Sequence, residues 1–362
     1  MAQHFHTLKI GDIVRETSDC ISVNFIVPEA LREMFTYRAG QYVTLRAEVG
    51  DRELRRSYSL CSAPFQNELR VAIKRVVGGM FSQWAHMLLR AGDTMDVLPP
   101  DGHFVFEPRA DRARHIVLVA AGSGITPVFS ILKTALAKEP HSQVTLLFGN
   151  RRVKDIIFRE QIEDLRDQHL ARFQLIHTLS GEVQESPMAN GRIDGAKIAS
   201  LIPALIDPRN IDQVYICGPG AMIGAVAAAC LDAGVPLERI HKEIFGVPSA
   251  VLRDQSQTSD ATVNAECADA AWVSVIADGI ERKLRVGFKG DTVLDVVLAS
   301  GIDVPYACKA GVCCTCRAKV LEGDVRMDAN FTLEQHEVDR GFVLTCQAHP
   351  LTDRVRLSYD AR

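Results

Sequence analysis

Four of the chain's ten cysteines bunch together as Cys308-Lys-Ala-Gly-Val-Cys313-Cys314-Thr-Cys316, and Cys346 follows alone. Taking Cys308, Cys313, Cys316 and Cys346, the spacing is C-x4-C-x2-C-x29-C. That is the ligand spacing of a [2Fe–2S] cluster, in which four thiolates hold and neutralise two ferric ions. Gly311 lets the backbone loop around such a group and aim its amides at sulfur. Cys314 falls inside the short gap and is read as a non-ligand. A zinc ribbon would show two paired C-x2-C knuckles, and the second half here offers one cysteine. A disulfide scaffold would be short and cysteine-dense throughout, whereas Cys20, Cys61, Cys217, Cys230 and Cys267 are scattered along 362 residues.

A chain of that length exceeds one ordinary core and predicts two or three domains. Residues 1–110 read as a β-barrel: period-2 stretches such as Ile21–Val27 and Tyr42–Ala47 are punctuated by Pro28, Gly40, Gly50, Asn67 and Gly92. A helix is expected from Phe81 to Leu89. Residues 111–246 read as α/β, with a ligand at the strands' carboxyl ends. Apolar strands His115–Ala121, Val144–Phe148, Phe173–Thr178 and Gln213–Cys217 alternate there with helices over Pro127–Lys138, Asp155–Gln168, Ala196–Leu205 and Met222–Leu231. Residues 247–271 are poor in large apolar side chains and read as a linker. Residues 272–362 then form a third, α+β domain carrying the cysteines. It opens with a hairpin, Trp272–Ala277 and Lys283–Phe288, turning at Asp278-Gly279, followed by a helix over Thr292–Ser300.

Two glycine turns in the first two segments can hold anions. Gly78-Gly79-Met80-Phe81-Ser82 precedes a helix, so free amides and a helix N-terminus meet at one point. Gly122-Ser123-Gly124-Ile125-Thr126-Pro127 leads from a strand into a helix in the same way, with Pro127 where a dinucleotide fingerprint would carry its third glycine. Cys217-Gly218-Pro219-Gly220-Ala221-Met222 follows the last strand. Arg56-Ser57-Tyr58-Ser59 joins a guanidinium fork, an aromatic face and a small hydroxyl.

These motifs, in this order, resemble the ferredoxin–NADP reductase family. Residues 271–362, with Val304-Pro-Tyr-Ala-Cys308 and Leu344-Thr-Cys346-Gln, resemble plant-type ferredoxin domains of β-grasp fold. The resemblance implies that Arg56, Ser57, Tyr58 and Ser59 bind FAD, Tyr58 against the ring and Ser59 at its N5. Ile73 and Lys74 would touch the flavin through the strand, and Gly78, Gly79, Met80 and Ser82 would hold its pyrophosphate. Gly122, Gly124 and Thr126 would cradle the nicotinamide dinucleotide. Cys217, Gly218, Pro219 and Met222 would approach its nicotinamide, and Asn150 its adenosine ribose. Arg151 and Arg152 suit a 2′-phosphate, which favours NADPH, with NADH possible. In His241-Lys-Glu243-Ile-Phe245-Gly246, Glu243 would relay a proton and Phe245 cover the ring. Ser59, Cys217 and Glu243 are the expected catalytic residues; His86 and His177 lack ligand spacing and are assigned to packing or surface.

Together the sites predict an oxidoreductase that splits hydride into single electrons. Phe5-His6-Thr7-Leu8, Glu53-Leu54-Arg55-Arg56-Ser57-Tyr58-Ser59, Gly191-Arg192-Ile193-Asp194-Gly195 and Asp303-Val304-Pro305-Tyr306-Ala307-Cys308-Lys309 resemble the reductase subunits of phenylacetyl-CoA epoxidases nearly end to end. That resemblance implies di-iron oxygenase subunits as partner. The alternatives are a reductase of the 3-ketosteroid 9α-hydroxylase type and a redox sensor that does not turn over. A net charge of −4 offers no broad basic surface for nucleic acid. No apolar run is long enough for a membrane span, and no signal pattern opens the chain, so the cytoplasm is expected.

Overall fold

A computed structural model describes residues 4–205, 207–245 and 270–361. The chain divides into two compact units, one holding His6–Leu54 and Tyr58–Phe245, the other the C-terminal residues together with Arg55–Ser57.

The larger unit begins with strands β1 (His6–Thr17), β2 (Cys20–Ile26), β3 (Tyr42–Val49), β4 (Arg52–Ser59), β5 (Leu69–Lys74) and β6 (Thr94–Val97). They pair in the order β4-β3-β6-β1-β2-β5. A Leu60–Val71 bridge ties the two outer strands and closes the barrel. Leu8, Ile10, Val23, Val43, Leu45, Val71 and Ile73 fill it, the inward members of alternating strands. Helix α1 (Met80–Leu88) buries Phe81 and Ala85 against this core.

The rest of the unit is a parallel sheet, β11-β10-β7-β8-β9. Its strands are β7 (His115–Ala121), β8 (Gln143–Asn150), β9 (Phe173–Leu179), β10 (Gln213–Gly218) and β11 (Ile240–Ile244), joined through helices α2 (Ile125–Lys138), α3 (Arg159–Gln168), α4 (Gly195–Leu205) and α5 (Gly220–Asp232). The continuous apolar run of β7 is buried from Ile116 to Ala120 because helices cover both faces. Helix α3 starts four positions later than the periodicity predicts. Val153–Asp155 is a separate 3-10 turn, and Phe158 sits at φ 59°, where its ring is buried and stacked on Phe129 at 4.7 Å.

The barrel and the sheet share one core. Cys20, Ala39, Cys61, Ala72, Phe104 and Phe106 from the barrel side pack with Ile116, Leu118, Val128 and Ile131. Tyr215 meets Phe104 and Phe106 edge-on at 5.4 and 5.9 Å. The rhythm change near residue 110 therefore marks a change of secondary structure, while packing runs straight across it.

The smaller unit is a five-stranded sheet in the order β13-β12-β18-β14-β16, with a two-stranded ladder, β15-β17. Its elements are β12 (Ala270–Ala277), β13 (Ile280–Gly287), α6 (Val293–Ala299), β14 (Arg317–Glu322), β15 (Val325–Met327), α7 (Gln335–Asp339), β16 (Phe342–Leu344), β17 (Ala348–Pro350) and β18 (Arg354–Ser358). Strand β12 runs parallel to β18 and antiparallel to β13. Helix α6, capped by the Thr292 hydroxyl, buries Val293, Leu294 and Val297. This is a β-grasp arrangement. The turn residues Asp278 and Gly279 both have positive φ, 53° and 73°, so the hairpin is tight and β13 starts at Ile280, earlier than expected. Of the stretch assigned to a linker, 247–269 lies outside the described residues. Ala270 and Ala271 belong to β12, where Ala271 is fully buried opposite Val286. No helix among the described residues is long and apolar enough to cross a membrane.

Candidate functional site: a nucleotide cleft and a four-cysteine loop

In the larger unit a cleft of about 1420 Å³ opens at the carboxyl ends of β7, β8 and β10. Gly122, Gly124, Asn150, Arg151, Arg152, Gly218, Pro219, Met222 and Phe245 line it, and Lys74 reaches it from the barrel. Two turns meet tightly in its floor. A Cβ on Gly124 would fall 2.2 Å from the Cys217 carbonyl oxygen, so only glycine permits the approach. A Cβ on Gly218 would fall 2.7 Å from Met222 Cε. Thr126 is buried behind the wall, its hydroxyl donating to the Ser123 carbonyl at 3.1 Å, so it shapes the turn. The Asn150 amide nitrogen is buried without a hydrogen-bond partner. An orphaned donor in a cleft wall fits a polar ligand that supplies the acceptor.

The three expected catalytic residues come together. Cys217 and Glu243 are register partners on adjacent parallel strands. The Ser59 hydroxyl lies beside the Glu243 carboxyl and partly offsets the effect of its burial. Burial nonetheless pushes Glu243 up to about 8. Burial, and then the neighbouring Glu243, push the Cys217 thiol well above its ordinary value, so it is a neutral thiol. Ser59 Oγ and Glu243 Oε2 are both buried with no hydrogen bond closed. Two orphaned polar atoms at one point fit a flat heterocycle with donor and acceptor edges, as an isoalloxazine has.

Around them, Tyr58 is half-buried and its ring packs on Phe81 at 5.7 Å, which in turn meets Trp84 at 5.5 Å. Ile73 is fully buried in β5, and its carbonyl bonds His86 Nε2 at 2.9 Å. His86 therefore holds the strand end in place. Lys74 pairs with Asp19 at 3.6 Å. Arg56 is exposed and donates to the Arg55 carbonyl at 2.7 Å, and Ser57 beside it is half-buried. At the glycine turn, Gly78 has φ 76° and Gly79 leads into α1. The Ser82 hydroxyl accepts the Val76 amide at 3.0 Å and donates to the Gly79 carbonyl at 3.2 Å. That hydroxyl ties the turn together, which leaves anion contact to the first-turn amides from exposed Met80 onward. His177 packs at 5.8 Å from Phe148 with both ring nitrogens buried and unbonded, and burial pulls its basicity down. Lys154, Ser180 and Arg192, and on the barrel side Ser18 and Asp19, also line the cleft. No local pattern marks them, because they sit in loops far apart in the chain.

In the smaller unit the cysteine loop coils around its own sulfurs. Lys309, Gly311 and Cys314 all have positive φ, 53°, 73° and 54°. The Ala310 amide donates to Cys308 Sγ at 3.3 Å and the Cys308 amide to Cys313 Sγ at 3.5 Å. Gln347 Nε2 lies 3.7 Å from Cys346 Sγ. The four thiols fall into two hydrogen-bonded pairs, Cys308 with Cys313 and Cys316 with Cys346. The bond with Cys313 draws Cys308 down to about 7 and the bond with Cys316 lowers Cys346, while the donors Cys313 and Cys316 are pushed well up by the same bonds and by burial. Two thiol pairs ringed by amides suit two irons. Cys314 turns away, buried in the core with its sulfur 3.2 Å from Thr332 Oγ1.

Residues 7–106 match the oxidoreductase FAD-binding domain, 118–228 the oxidoreductase NAD-binding domain, and 275–351 the 2Fe-2S iron-sulfur cluster binding domain. The chain is 41% identical over 358 residues to a component of the 1,2-phenylacetyl-CoA epoxidase of Escherichia coli (strain K12), covering 99% of this chain and 98% of that one. It is 37% identical over 356 residues to the 3-ketosteroid-9-alpha-monooxygenase ferredoxin reductase component of Rhodococcus rhodochrous, covering 97% and 96%. The fold is shared with phthalate dioxygenase reductase, with a TM-score of 0.58 at 22% identity over 98% of both chains. With its FAD, nicotinamide-nucleotide and [2Fe–2S] domains, the chain belongs to the ferredoxin–NADP reductase-like family of iron–sulfur flavoprotein reductases with a fused plant-type ferredoxin domain.

Proposed function

We propose that this protein is the NADPH-dependent reductase of a phenylacetyl-CoA epoxidase, delivering electrons through FAD and a [2Fe–2S] cluster to di-iron oxygenase subunits in the cytoplasm. The relatives are components of oxygenase systems, which supports an oxygenase as acceptor. The higher identity to the epoxidase component, 41% against 37%, favours that system over the steroid one. When bound, flavin and cluster supply the exchange between two-electron hydride chemistry and one-electron transfer.

The chain's residues bind, orient and hold a proton. The observation that carries the reading is the meeting of Ser59, Cys217 and Glu243 beside the nucleotide cleft. The neutral Cys217 thiol offers a small, uncharged wall behind the nicotinamide, with the Gly124–Cys217 contact fixing its depth. Glu243, raised to about 8, keeps its proton at pH 7. A protonated carboxyl beside the Ser59 hydroxyl can donate to a ring nitrogen. Tyr58 and Phe245 supply aromatic faces, and the Gly78-Gly79 turn supplies amides for a pyrophosphate. Arg151 and Arg152, exposed at the end of β8, supply cations for a ribose phosphate. Cys308, Cys313, Cys316 and Cys346 would hold the two irons.

Anaerobic titration with NADPH, followed by visible and EPR spectra, tests cofactors and electron order together. Flavin bleaching without a cluster signal would remove the cluster from the path. Replacing Arg151 and Arg152 with Ala should raise KM for NADPH far more than for NADH. Phenylacetyl-CoA-dependent NADPH oxidation on adding epoxidase subunits, and none with a steroid oxygenase, distinguishes the two acceptors. A redox sensor would show no steady reduction of cytochrome c.

A further inference from the structure

The more enclosed arginines of this protein include several set against a carboxylate: Arg46 with Asp96, Arg70 with Asp12, Arg114 with Glu139 and Arg317 with Glu337. The mouth of the nucleotide cleft differs. Arg151, Arg152, Lys154 and Arg192 all line it, and among the described residues none of their side chains makes an ion pair or hydrogen bond. Three carboxylates also line the cleft, Asp19, Asp155 and Asp194, and Asp19 is paired with Lys74 at 3.6 Å. Asp194 is engaged in accepting the Lys197 amide at 2.9 Å at the start of α4. Unpaired cations gathered in a concave site repel one another until an anion enters.

Arg192 is held there from both sides. Gly191, at φ 88°, donates its amide to the Leu179 carbonyl at 2.8 Å. Ile193 is buried and lies against Gly149, where an added Cβ would meet Ile193 Cδ1 at 3.0 Å. Between those anchors Arg192 is exposed, lining the cleft alongside Gly149-Asn150-Arg151-Arg152. Arg151 is fixed in a similar way. Its carbonyl accepts the Gly181 amide at 2.7 Å, and its stem passes where a Gly181 Cβ would come within 2.9 Å of Cγ.

We propose that Arg192 is a specificity-determining residue, which with Arg151 closes a subsite selecting a phosphorylated adenosine ribose over one with free hydroxyls. The inference rests on the assignment of this cleft to NADPH. Two guanidinium forks on separately anchored loops can grip a phosphate dianion from two directions, which one flexible loop cannot do.

The test uses the flavin- and cluster-loaded protein and two probes, 2′,5′-ADP and 5′-AMP, titrated by calorimetry. Arg192→Ala should weaken 2′,5′-ADP at least tenfold, about 1.4 kcal/mol, and weaken 5′-AMP far less. The ratio of kcat/KM for NADPH over NADH should fall in parallel, and Arg192→Lys should recover most of it. Equal losses for both probes would overturn the assignment, as would an unchanged 2′,5′-ADP affinity in Arg192→Ala where Arg151→Ala loses it. A parent protein that binds the two probes equally would overturn the NADPH reading, and this proposal with it.

Discussion

The buried thiol of the nucleotide sheet and the two accepting thiols of the cysteine loop, Cys308 and Cys346, behave in opposite ways. Cys217 lies near the end of a strand of the nucleotide sheet, with Ala120 on one side and Glu243 on the other, and burial drives its thiol up. Cys308 and Cys346 are also largely enclosed, yet each is drawn down by a partner thiol and by backbone amides aimed at sulfur, while the donating partners, Cys313 and Cys316, are pushed well up. Desolvation disfavours a thiolate wherever it acts; donors decide whether the thiolate is rescued. The cysteine loop devotes three positive-φ residues to supplying those donors. The nucleotide cleft devotes its glycines to close approach instead, leaving the Cys217 thiol neutral.

The largest test of that contrast is removal of single thiols. Replacing Cys308, Cys313, Cys316 or Cys346 with Ser should abolish the cluster's visible and EPR signals and cytochrome c reduction, while flavin reduction by NADPH persists. Cys314→Ser should keep its iron, since that sulfur faces Thr332; iron loss there would break the two-pair arrangement. Next comes Glu243→Gln, for which hydride transfer should slow on the order of 10²-fold. The sign follows from the raised pKa: the proton is held below about 8 and lost as pH rises through it. Stopped-flow rates should therefore fall above about pH 8 in the parent protein and stay flat in the variant. A falling limb retained in Glu243→Gln would assign the proton elsewhere.

A smaller effect is expected from Gly124→Ala. The new methyl would press on the Cys217 carbonyl, an overpacking of about 1–3 kcal/mol. Weaker NADPH binding by about ten- to a hundredfold, with the cluster spectrum intact, would confirm that the two turns set the cleft's depth. Smallest is Ser59→Ala. Without the hydroxyl that offsets burial, Glu243 should titrate still higher, moving the falling limb of the rate profile upward. A downward move would contradict the geometry at Glu243.

Legibility followed locality. The cysteine spacing announces its ligands because one loop supplies three of them, and the loop's own backbone supplies the amide donors. The β7 strand and the Asp278-Gly279 turn are equally plain, since a doubly buried strand needs an unbroken apolar run and a tight hairpin needs two positive-φ residues. The start of helix α3 escapes periodicity, which does not report Phe158's left-handed backbone or the packing on Phe129 that accompanies it. Ser82 carries a hydroxyl suited to a pyrophosphate, yet in place it ties its own turn.

What this chain states in one dimension is its inventory: which segments are strands, which turns can face an anion, and which cysteines can share two irons. Such features depend on neighbours a few bonds away. Folding in three dimensions chose the rest. It placed Ser59 beside Glu243 and Cys217, carried Arg192 to the mouth alongside Arg151, and joined barrel and sheet in one core. Those pairings depend on side-chain volume and burial summed over the whole interior, which no short window of residues contains.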